Sequence, residues 1–177
     1  GSQSVSSSDA YTVADVARSA MPSVVAITAV SVQELPNFFG FGSQEYDSVS
    51  SGSGIIVGEN DSELLIATNN HVIEGAKNLS VCFIGDEVPN LDETQQMSNG
   101  GLDMENAVSA KTKGTDAGND LAVISVKKSD IPSDTMSEIK IAQQGDAENL
   151  VVGEQVVAIG NAMGYGQSVT SGWISAL

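Results

Sequence analysis

The chain has 177 residues, 41% of them hydrophobic and 17% charged, enough apolar material to bury a core and to exclude a wholly disordered polypeptide. Seven basic residues against 23 acidic ones give a net charge of −16, which argues against a nucleic acid or an anionic membrane as partner. The single cysteine, Cys82, excludes an intramolecular disulfide, and the single histidine, His71, leaves a metal site without a second histidine or paired cysteines.

Residues 1–8, Gly1 to Ser8, are serine-rich and cannot pack, so they read as a flexible tether or an expression scar. The folded part is expected to begin near Asp9. Thr12 is the N-cap of a short helix through Val13, Val16, Ala17 and Ala20, which must end before Pro22. The longest uncharged apolar stretch, around Ala20 to Val30, is too short to cross a membrane and Pro22 interrupts it, and no signal-peptide pattern is present.

Strands follow. Valine- and isoleucine-rich runs at Val24–Val32, Gly54–Val57, Leu64–Thr68, Leu79–Ile84, Ala107–Lys111 and Leu121–Val126 are separated by glycine, asparagine, aspartate and serine clusters. Strands of that number and length suit one small closed barrel, so the fold class is all-β, with residues 9–134 as the barrel. The polar stretch Lys127–Asp134 leads into residues 135–177, read as a linker and a second, incomplete barrel with strands at Gln155–Ile159 and Ser168–Ala176. The lone thiol of Cys82, in the strand-like run Leu79–Ile84, is expected to be a small core hydrophobe.

Two segments depart from this scaffold. Gln33 to Tyr46 holds Phe38, Phe39 and Phe41, and a loop cannot bury such rings within itself, so they either form a contact surface or cap the barrel's end. Gly85 to Asn106 carries Asp86, Glu87, Asp92, Glu93, Asp103 and Glu105 and no basic residue, with none of the offsets of a calcium loop. It is expected to be a disordered or solvated excursion.

The chemistry lies in Thr68-Asn69-Asn70-His71-Val72 and Asn119-Asp120-Leu121-Ala122-Val123. A histidine that takes a proton from a nucleophile needs a buried carboxylate on its other ring nitrogen, to fix the tautomer and to stabilise the imidazolium that forms. His71 follows one apolar run and Asp120 opens another, so base and orienter both sit at strand ends. Asp120 is preferred to Asp116 because it abuts its strand directly.

The order and flanks of these segments resemble the trypsin-like serine proteases of the HtrA/Deg family. The resemblance is carried by Pro22–Ile27, Ser51–Val57, Ala67–Ile73, Gly118–Val123, Val152–Asn161 and Val169–Leu177, and it covers most of the chain from Asp9 onward. It implies a trypsin-like β-barrel, complete in its first barrel and begun in its second, with His71 and Asp120 as catalytic residues. The family's nucleophile sits in a Gly-Asn-Ser-Gly-Gly block after the last strand seen here. No such block occurs in residues 1–177, so the chain supplies no nucleophile and is expected to be an inactive part of a serine endopeptidase. The resemblance further implies an extracytoplasmic location, reached in many relatives through an anchor that this chain lacks, unfolded or damaged polypeptide as substrate, and homo-oligomers. It implies no cofactor and no metal.

Ser53, between two glycines, looks like an exposed nucleophile but precedes the histidine and is read as a strand-opening turn. Ser168, Ser171 and Ser175 alternate with apolar neighbours as on a strand with one wet face. Cys82 lies between His71 and Asp120, where trypsin-like cysteine proteases carry no nucleophile. Ala162 and Trp173 stand where the family has proline and isoleucine. The competing reading is a non-catalytic trypsin-fold binding or regulatory module.

Overall fold

The computed structural model describes residues 11–36, 43–84, 107–161 and 167–177. The serine-rich start, Phe38, Phe39, Phe41, Ala162 and the acidic segment lie outside the described residues. Helix α1 (Val13–Ala20) opens with Thr12, whose Oγ1 accepts from the Asp15 backbone N–H at 3.1 Å while Asp15 accepts from the Thr12 N–H at 3.1 Å. This reciprocal cap satisfies two donors that a helix start otherwise leaves orphaned. A single 3₁₀ turn, Met21–Ser23, with Pro22 inside it, then releases the chain into strand.

Strands β1 (Val24–Pro36), β2 (Ser43–Glu59), β3 (Glu63–Thr68), β4 (Asn78–Cys82), β5 (Val108–Asp116) and β6 (Leu121–Lys127) close into a barrel in the order β1-β2-β3-β6-β5-β4. Every neighbouring pair is antiparallel. This is the all-β barrel that the sequence predicts. Alternation fills it: β3 buries Leu64 and Ile66, β6 buries Ile124 and Val126, and all four are at most 2% exposed. Each contributes about 1.5–3 kcal/mol by leaving water. Phe83, just beyond β4, is 1% exposed in the same core, and Cys82 is buried at 3%.

β2 differs most from expectation. It runs far beyond Gly54–Val57 because its serine-rich first half pairs residue by residue with β1, from Val24↔Ile55 to Pro36↔Ser43. Its ladder, not its composition, makes it a strand. Ser53 is therefore mid-strand, opposite Ala26, and opens no turn. The flanking glycines answer to packing: a methyl group at Gly52 would stand 2.6 Å from Val72 Cγ2, and one at Gly54 would stand 2.7 Å from both Ile27 Cδ1 and Ile66 Cγ2.

After β6 the chain stays on the barrel. Ile131 and Thr135, the latter in helix α3 (Ser133–Glu138), are buried, and Met136 and Ile139 pack against the core. The Ala142 N–H then donates to Ile56 O at 2.8 Å. β7 (Gln155–Asn161) and β8 (Gln167–Trp173) form a separate two-stranded antiparallel sheet, with β7 packed across β1, β2 and α1. β8 stops short of the predicted Ala176, leaving Ser175 past its end.

Candidate active site

β3 ends at Thr68, and after Asn69 the chain turns into a single helical turn, α2 (Asn70–Ile73), that carries His71. Pairing of Thr68 with Ala122 brings the β5–β6 turn, residues 117–120, against this helix. Asp120 sits at the turn's end with φ of 54°, the only non-glycine residue with positive φ among those described. Aspartate tolerates that left-handed conformation better than most side chains.

Asp120 meets α2 with both its backbone and its carboxylate. Its carbonyl accepts from Asn69 Nδ2 at 3.0 Å and from the Asn70 N–H at 3.2 Å. Its Oδ1 accepts from the His71 N–H at 2.8 Å, and its Oδ2 lies 2.7 Å from His71 Nδ1. Asn69, the N-cap by position, makes no side-chain cap to its own helix, and the aspartate across the turn takes over that task. The same carboxylate thus builds the helix and orients its imidazole. With Nδ1–H donating to Oδ2, Nε2 is left as an acceptor.

These hydrogen bonds hold the Asp120 carboxyl below its ordinary value, with the His71 N–H the largest cause and the ring next, against a small opposing effect of desolvation. The pair is nevertheless open: the His71 and Asp120 side chains are 69% and 46% exposed. The sequence reading asked for a buried carboxylate. The structure replaces burial with a two-point grip, because both residues lie on connections at the strand ends and not inside the barrel. Asp116 does other work, accepting from Asn119 N and Nδ2 at 3.2 and 2.7 Å and so closing the turn.

The far end of α2 is fixed from β2. Ser50 Oγ donates to Val72 O at 2.7 Å, and Val72 sits over Gly52. Asn70, Val72 and Ile73 are buried, so His71 is the one residue of the turn that faces outward. Sequence reasoning assigned no task to Asn69, Ser50 or Gly52. The asparagine pair before His71 carried a signal, whereas Ser50 and Gly52 act through a ladder that no local pattern reveals.

A cleft of about 360 Å³ lies beside α2, lined by Asn70, Ile73, Glu74, Thr112, Thr115 and Ala117 but not by His71 or Asp120, so it is not where their chemistry occurs. Among the described residues no three metal-ligating side chains converge, and Cys82 is buried. Ser53, Ser168 and Ser171 all lie in strands, and none makes a hydrogen bond to His71. The arrangement can accept a proton on Nε2 and stabilise the resulting charge through Asp120.

Residues 52–177 match a family model described as a trypsin-like peptidase domain. The serine protease Do-like HtrA of Bacillus subtilis (strain 168) is 31% identical over 176 residues, covering 97% of this chain and 33% of the relative. A probable periplasmic serine protease do/HhoA-like of Haemophilus influenzae (strain ATCC 51907 / DSM 11121 / KW20 / Rd) is 37% identical over 140 residues, covering 79% of this chain and 24% of the relative. Among solved structures, an HtrA-type protease with a decapeptide superimposes with a TM-score of 0.68 at 26% identity, covering 94% of this chain and 45% of the other. The chain thus spans a third or less of these curated relatives' length.

Proposed function

The chain belongs to the HtrA/Deg family of trypsin-like serine proteases, and from that premise we propose that it supplies the base and orienter of a serine endopeptidase acting on unfolded or damaged polypeptides. The observation that carries this reading is the double grip of Asp120 on His71, through ring and backbone at 2.7 and 2.8 Å. His71 Nε2 takes the proton of a seryl hydroxyl as its oxygen attacks the peptide carbonyl carbon. The imidazolium, stabilised by Asp120, returns that proton to the leaving amine, and an acyl-enzyme remains. Water, deprotonated by His71, then cleaves the ester.

On this reading residues 1–177 supply no nucleophile and alone do not turn over peptides. Relatives with periplasmic names support an extracytoplasmic location. Among the described residues no helix is long and apolar enough to cross a membrane. A homo-oligomer, which the likeness to the family implies, is part of this proposal. Light scattering across a concentration series that returned only monomer would overturn that part.

The experiment for the chemistry is covalent labelling by a serine-directed fluorophosphonate, read by intact mass, on this chain and on the full-length protease. Labelling of the long form alone, lost on His71→Ala, is expected. Failure of both forms to label would select the alternative, a non-catalytic trypsin-fold binding or regulatory module.

A further inference from the structure

Gly52 and Gly54 face the crowded side of β2, where Val72, Ile27 and Ile66 leave no room for a Cβ. Alternation puts the Ser53 side chain on the opposite side. There its Oγ accepts from the backbone N–H of Asn161, in β7, at 2.7 Å. The carbonyl of the same residue accepts from Thr68 Oγ1 at 2.9 Å. Thr68 and Asn161 are only 7% and 4% exposed, so these bonds are little weakened by competing water.

From Thr68 one peptide bond leads to Asn69, whose amide holds the Asp120 carbonyl, and the Asp120 carboxylate holds His71. Ser53 thus stands where the second sheet meets the strand that delivers the base. Asn161 adds a second indication. Its side-chain Oδ1 is buried without a partner among the described residues, and beside its ladder pairing with Gln167 its backbone bond to Ser53 ties that end of β7 to β2.

We propose that Ser53 is a positioning residue of the hydrolytic site: its hydroxyl and carbonyl together register the β7–β8 sheet against Thr68, and through Asn69 and Asp120 against His71. The proposal rests on the protease reading above. The residue dismissed as a decoy nucleophile acts at a distance, by setting the alignment of the base with whatever the second sheet presents to it. A misalignment of this kind spares binding and slows the chemical step.

The test uses the full-length protease with Ser53→Ala, Ser53→Thr and Thr68→Val, measuring kcat and KM on a peptide substrate, the fluorophosphonate labelling rate, and Tm. Ser53→Ala is expected to lower kcat about tenfold or more with KM within about twofold and labelling slowed in parallel. Ser53→Thr, which keeps the hydroxyl, recovers most of the rate. Thr68→Val removes the other bond and repeats the kcat loss, and it decides the matter should Ser53→Ala fail to fold. Wild-type kcat in Ser53→Ala, or in Thr68→Val where Ser53→Ala does not fold, overturns the proposal and leaves the protease reading standing. A wild-type protein that neither turns over nor labels overturns both.

Discussion

The tetrapeptide Val-Val-Ala-Ile occurs twice, at residues 24–27 in β1 and at 156–159 in β7. In β1 all four side chains are buried, from 6% at Val24 to zero at Ile27; in β7 Val156 is 41% exposed, Ala158 is exposed, and Val157 and Ile159 are only half-buried. Identical residues make a strand in both places. Local preference therefore fixes the extended backbone, while a closed ladder with neighbours on both faces decides whether the strand is also a core. β1 has β2 and β4 beside it and β7 across it, whereas β7 has, among the described residues, β8 alone as its ladder partner.

The sharpest way to break this comparison is to truncate the matched isoleucines. Ile27→Ala is expected to lower the unfolding free energy by about 2–5 kcal/mol and Ile159→Ala by less than about 1 kcal/mol, read from urea titrations. Equal losses would mean that the second sheet shares the barrel's core. The next largest effect comes from adding one methyl group to each region. Gly54→Ala, pressed between Ile27 and Ile66, should cost about 1–3 kcal/mol. Gly172→Ala in β8 meets open space and should stay within about 0.5 kcal/mol.

The smallest effect is electrostatic and belongs to the barrel alone. The folded Asp120 carboxyl titrates below its ordinary value, and in the unfolded chain it returns to that value, so its contribution is complete above about pH 4. That contribution fades as pH falls below the unfolded value and is gone beneath the folded one. Exposure and screening keep it small. Asp120→Asn, which the left-handed backbone tolerates, should therefore trail the wild type more at about pH 6 than at about pH 3. Asp15, Glu63 and Asp116 are lowered too, but they are common to both proteins and cancel in the difference. Parallel stability curves would separate Asp120 from the folding of α2.

Much of this was legible beforehand. β3 and β6 could be placed from their runs of leucine, isoleucine and valine, but their inward faces could not, because Leu65 and Val123 stand beside inward residues with no polar alternation to tell them apart. Thr12 announced its helix because capping is local. Ser48 to Ser53 could not be read as strand, since serine and glycine there signal a loop, and only the match to β1 overrules them. At the site, His71 and Asp120 stood out through their flanks and the family resemblance. The aspartate's hold on the His71 N–H was hidden, because it depends on a positive φ reached only when the turn forms. Ser53 was misread for the same kind of reason: its two partners lie 15 and 108 residues away.

The turn that ends at Asp120 has a temporal consequence. While β5 and β6 remain unpaired, the His71 segment lacks its cap as well as its orienting carboxylate, so an incompletely folded chain has neither a capped helix nor an oriented imidazole. Closing the barrel and arming the imidazole are one event.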